Sequence, residues 1–88
     1  MMIPTIHLNG TGKTTLLEEL VAALTALNNA HDALCRVTVH GRDYYPQGPS
    51  AASQAIREHG VRRAAIEQVI EDLKALYTGI EAQTWKRL

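Results

Sequence analysis

Eighty-eight residues carry nine Lys or Arg against nine Asp or Glu, so no overall basic field marks the chain for nucleic acid. The single cysteine, Cys35, excludes an internal disulfide framework and a cysteine-built zinc site, and it fits a reducing cytoplasm. No apolar run approaches the roughly 20 residues needed to cross a bilayer, and the N-terminus lacks the basic start of a signal peptide; the expectation is a cytoplasmic protein that binds neither membrane nor nucleic acid.

Residues 1–8, MMIPTIHL, read as an extended arm, because Pro4 disfavours both helix and central-sheet pairing. Asn9-Gly10 is a turn signal. A helix follows from about 13 to about 34: Leu17, Leu20, Leu24, Leu27, His31 and Leu34 recur at alternating steps of three and four, a seam of heptad type. Thr11, Thr14 and Thr15 are candidate N-caps, and Thr15 with Glu18 has capping-box spacing.

The stretch CRVTVHGRDYYPQGP, residues 35–49, forms the connection. RVTV is a candidate short extended piece, while Gly41, Pro46, Gly48 and Pro49 break regular structure. Pro49 or Ser50 opens a second helix over about 50–80, along which Ala52, Ile56, His59, Arg63, Ile66, Ile70, Leu73, Tyr77 and Ile80 keep the same rhythm. A second stripe, Ala55, Val69 and Leu76, widens the apolar face beyond what one partner helix covers. The tail with Trp85, Lys86 and Arg87 is expected to fray or dock loosely. The predicted architecture is all-α: one antiparallel helical hairpin with an extended N-terminal arm. A core this small, with no disulfide or metal staple, points to self-association into a helical bundle, a dimer or larger.

His7-Leu8-Asn9-Gly10-Thr11-Gly12-Lys13-Thr14 invites comparison with the phosphate-binding loop G-x-x-x-x-G-K-[ST]. Gly12-Lys13-Thr14 fits, and a helix follows. The first glycine, which lets successive N–H groups wrap a phosphate, is replaced by His7. No strand pattern after residue 50 can supply the multistranded sheet, and Asp43 after VTVHGR is a poor second Mg²⁺ carboxylate. The plain reading is a helix start, so a non-catalytic protein without a cofactor is expected; a degenerate phosphate-binding loop is the third-ranked alternative.

Residues suited to more than packing gather around the connection. His59 and Arg63 occupy seam positions where Ile or Leu is expected, Arg62 lies beside them, and Gly60 stands mid-helix at a cost of roughly 1 kcal/mol relative to alanine. Arg42, Asp43, Tyr44, Tyr45 and Gln47 from the loop could join His59, Arg62 and Arg63 in a polar pocket. Arginine recognises phosphate or carboxylate in a bidentate manner, and tyrosine stacks on a base or donates its hydroxyl. The competing reading makes Arg42 and Asp43 solvated, Tyr44 and Tyr45 a lid on the bundle end, and His59 and Arg63 partners of Glu58 and Glu67. The four histidines show no H-x-x-x-H spacing, so no metal site is expected. Cys35 has no evident activating partner.

IHLNGT (Ile6 to Thr11) and GRDYYPQG (Gly41 to Gly48), with Glu58, His59 and Arg62 on a later helix, resemble a group of small uncharacterised proteins common in tailed phages and prophages. In that group the residues after HLNGT are usually Ser-rich or acidic, which implies that GKTT is incidental here. The chain departs from the group in DALCRVTVH, where a shorter Ala-rich link is usual. The resemblance implies a phage or prophage accessory protein in the host cytoplasm. By analogy with small phage proteins that act by binding, it implies a sequestered nucleotide-like ligand or a blocked host protein. Asn9 and Thr11 then join Arg42, Asp43, Tyr44, Tyr45, Gln47, His59 and Arg62 as candidate ligand contacts, with the ligand held between protomers.

Overall fold

The computed structural model describes residues 1–84; Trp85, Lys86 and Arg87 of the tail lie outside them. Helix α1 runs Lys13–Cys35, a 3₁₀ turn runs Gly41–Gln47, and helix α2 runs Ala51–Glu81. Among the described residues there is no strand. The two helices pack as a long antiparallel hairpin, 66 × 21 × 17 Å, with a radius of gyration of 19.6 Å. A compact chain of this length has a radius of gyration of about 12 Å, so the molecule is a rod.

The seam on α1 is as spacing predicts: Leu17, Leu20, Leu24, Leu27, His31 and Leu34 are all half-buried against α2, but no α1 side chain is fully buried. The buried apolar core is Ile6, Ile70 and Ile80 among the described residues. Three such side chains contribute about 2–3 kcal/mol each, which is a small core for two helices this long.

Two expected seam positions on α2 are not in the seam. Ile56 is 56% exposed and Arg63 is exposed as well. For Ile56 the reason is length. α2 has 31 residues and α1 has 23, so α2 outruns its partner. The last turn of α1 meets His59, and the turns before it face only the connection. Arg63 lies between His59, which meets Leu34, and Glu67, which meets His31, and lines a recess beside Cys35 instead of the seam. Of the second stripe, Ala55 and Leu76 are half-buried while Val69 is 45% exposed.

The caps also differ from expectation. Gly12, not a threonine, is the N-cap of α1, with no side-chain cap bond, and Thr14 and Thr15 lie inside the first turn. At α2 the N-cap is Ser50, again without a side-chain bond, and Pro49 stands outside the helix. RVTV is not a strand: Arg36 and Val37 donate back to Ala33 and Leu34 at 3.1 Å, closing α1, and the next residues run without regular structure. GRDYYPQ, read as broken chain, is wound into the 3₁₀ turn, which ends at Gly48 with φ +107°, a backbone conformation only glycine adopts freely.

Candidate functional site

At one end of the rod the arm, the GTGKTT loop and the end of α2 form a single clasp. The Ile6 N–H donates to Gln83 Oε1 at 2.9 Å, and Gln83 Nε2 donates to the Pro4 carbonyl at 2.7 Å. Ile6 is thereby sealed at 2% exposure against α2. Gly79 admits the arm: a Cβ there would stand 2.5 Å from Ile3 Cδ1. The turn at Asn9-Gly10 closes with Gly10 N–H donating to His7 O at 3.2 Å, and a Cβ on Gly10 would stand 2.8 Å from the His7 ring.

Lys13, the lysine of the phosphate-loop-like run, is used here. Its ammonium donates to the carbonyls of Glu81 at 2.7 Å and Gln83 at 2.8 Å. Those are orphan acceptors at the end of α2, where the helix dipole also favours a cation. The ammonium points at a helix C-terminus, not over the loop that precedes it.

At the other end, the 3₁₀ turn packs on α2, where a Cβ added at Gly41 would stand 4.0 Å from Ala52 Cβ. Asp43 N–H donates to His40 O at 3.1 Å and Gly48 N–H to Tyr45 O at 3.3 Å, which closes the turn that carries Tyr44 and Tyr45. With Gly48, Pro49 and Ala52 they line an open groove of about 540 Å³. Tyr44 is half-buried and Tyr45 is 77% exposed. The side chains of Arg42, Asp43 and Gln47 are exposed. Neither Arg42 nor Asp43 is in an ion pair among the described residues.

His59 is 9% exposed, and its Nε2 stands 3.1 Å from the Leu34 carbonyl. A carbonyl only accepts, so Nε2 carries the proton and donates. His59 therefore caps the end of α1 from the opposite helix, as Lys13 caps the end of α2. That accounts for a histidine at a seam position. Arg63, with Cys35, Val37, Thr38, Val39, Ile56 and His59, lines a separate recess of about 220 Å³. Arg62 lines neither recess and is exposed. His31 pairs with Glu67 at 2.9 Å, with Cys35 Sγ 3.8 Å from the same ring nitrogen. No three metal-ligating side chains converge among the described residues, and no described helix is long and apolar enough to cross a membrane.

Comparison with protein-family models, curated proteins and solved structures returns no match.

The nine candidate contacts thus form separate groups within one chain. Arg42, Asp43, Tyr44, Tyr45 and Gln47 share the 3₁₀ turn; His59 and Arg62 stand two and three turns into α2; Asn9 and Thr11 lie beyond the far end of α1. At 1.5 Å per residue the 23 residues of α1 separate the two motifs by about 34 Å. Lys13 and Gln83, which build the clasp, were not singled out by sequence reasoning for any such role. Their partners lie 68 to 79 residues away, and no local pattern signals a contact of that separation.

Proposed function

We propose that this protein is a non-catalytic phage or prophage accessory protein of the host cytoplasm that associates with itself and sequesters a small nucleotide-like anion. The observation that carries the reading is the 3₁₀ turn. It holds two tyrosine rings beside an open groove, with the guanidinium of Arg42 next to them in the chain and in no ion pair among the described residues. Two aromatic rings on one groove and a free guanidinium suit a base and a phosphate. Asn9 and Thr11 belong to the same site only if a second protomer brings them, so the ligand lies between subunits. His59 is spent on the Leu34 carbonyl and lines the separate recess, so it does not touch the ligand.

The test is thermal unfolding in the presence of cyclic and linear nucleotides. A ligand at 100 times its Kd stabilises by about 2.7 kcal/mol, and Arg42→Ala with Tyr45→Ala removes that stabilisation. No stabilisation by any nucleotide rejects the reading.

A second reading rests on Val69, an apolar side chain left 45% exposed on α2: the hairpin captures a host protein along that stripe. Val69→Asp then abolishes capture while Arg42→Ala does not. The use of the Lys13 ammonium as a helix cap argues against the phosphate-loop reading, which ATP turnover lost in Lys13→Ala would revive.

A further inference from the structure

The function proposed above leaves one nucleophile unused. Cys35, the single cysteine, is exposed at the last residue of α1. It does not stand alone. His31 lies one helical turn back on the same face, and Cys35 Sγ stands 3.9 Å from His31 Nδ1 and 3.8 Å from Nε2. Glu67 reaches the same ring from the other helix, its Oε1 2.9 Å from His31 Nε2. A carboxylate only accepts, so Nε2 carries the proton and donates, and Nδ1 is left as the acceptor within reach of the thiol. A carboxylate thus orients an imidazole, and the imidazole takes a proton from sulfur, the order of groups that activates a nucleophilic thiol. A thiol at the C-terminal end of a helix has no help from the helix dipole, so the base beside it matters. Sequence shows only H-x-x-x-C; the fold supplies Glu67.

The thiol opens on the recess of about 220 Å³ between the end of α1 and α2. That volume is below the roughly 300–1,000 Å³ of sites for drug-sized ligands, so it takes one arm of a small molecule. Val37, Val39 and Ile56 give it apolar walls. Arg63 lines it and is in no ion pair among the described residues. His59 lines it too, only 9% exposed, and spends Nε2 on the Leu34 carbonyl. Its Nδ1 is therefore a bare acceptor. That atom has no partner among the described residues, where no sealed side-chain nitrogen or oxygen lacks one, so it is open to the recess. An anion for Arg63, an N–H for His59 and an electrophile for Cys35 complete the set.

We propose that Cys35 is a site of reversible thiolation by the disulfide of a small, anionic, amide-containing thiol. As Sγ attacks, its proton passes to His31 Nδ1. A bond forms between Sγ and one sulfur of the small disulfide, and the disulfide's own S–S bond breaks. The second sulfur leaves as a thiolate and takes the proton from His31. Cys35 is oxidised, one small thiol is released in reduced form, and excess small thiol reverses the exchange. A carboxylate of the bound arm lies against Arg63 and an amide N–H against His59. The site is separate from the tyrosine groove and does not depend on it.

The experiment treats the folded full-length chain with oxidised glutathione and follows the adduct by intact mass. It is repeated with cystamine, which is cationic, and with bis(2-hydroxyethyl) disulfide, which is neutral. The folded chain is expected to gain one adduct on the order of ten-fold faster than the same chain unfolded in urea. Cys35→Ser gains none, and dithiothreitol restores the original mass. His31→Gln slows all three reagents. Should that variant lose helix by circular dichroism, Glu67→Gln, on an exposed side chain, carries the same comparison. Arg63→Met slows oxidised glutathione about three-fold, leaves the neutral reagent unchanged and quickens cystamine, a charge order that a merely structural role would not produce. A rate equal to that of the unfolded chain, His31 and Glu67 variants that react like the parent, indifference to reagent charge, or Cys35–Cys35 dimers in place of the small adduct overturns the proposal.

Discussion

Replacing Lys13 by methionine keeps the unbranched stem and removes the ammonium, which tests whether this lysine belongs to the fold or to a phosphate. In the structure it donates to two carbonyls at the end of α2, at 2.7 and 2.8 Å. A bond from a charged donor is worth about 1.5–3 kcal/mol when desolvated. Both acceptors lie near the surface, where water replaces the lost donor, so the expected cost for the pair is about 1–2 kcal/mol. For a domain of this size each kcal/mol lowers Tm by about 4–8 °C. Thermal and urea unfolding followed by far-UV circular dichroism measures the loss, and amide exchange should quicken in the last turn of α2. Lys13→Arg, which keeps the charge, recovers part of it. A Lys13→Met protein with unchanged Tm and unchanged exchange refutes the capping role, and loss of nucleotide affinity in that same protein would return the lysine to a ligand.

Gly60 stands inside α2 with nothing within 4 Å of an added Cβ, so Gly60→Ala is expected to stabilise by about 0.5–1 kcal/mol; destabilisation in urea melts means that something covers the site. His59→Leu exchanges one hydrogen bond for apolar contact. Because the Leu34 carbonyl still accepts from Val37 at 3.1 Å, the expected cost is below about 1 kcal/mol, against about 2 for His59→Ala, which adds a cavity. Equal losses in the two variants show that the bond alone decides. Nucleotide stabilisation, where present, should survive His59→Leu.

The helices were legible because their signal is local and repeated. Steps of three and four put the first over about 13–34 and the second over about 50–80, against Lys13–Cys35 and Ala51–Glu81 in the structure. The pattern could not say where the partner helix stops. Ile56 continues the rhythm in sequence after α1 has ended in space. The arm was legible as extended, but the burial of Ile6 was not, since nothing in MMIPTIHL signals that Gln83 lies opposite. Threonine was the reasonable cap by propensity, yet the tertiary contacts of Lys13 fix the start of α1 without one. The loop motif stood out by composition, though its prolines hid the 3₁₀ turn. Its distance from Asn9 and Thr11 was invisible until the length of α1 was set between them.

Reciprocal capping has a consequence for how the molecule comes apart. The end of each helix is finished by a side chain borrowed from the other: His59 for Leu34, and Lys13 for Glu81 and Gln83. Neither rod can fray at its C-terminus without disturbing the start or the middle of its neighbour. Slow-exchanging amides at both ends should therefore open together, in one step, rather than peeling inward from the tips as in an isolated helix.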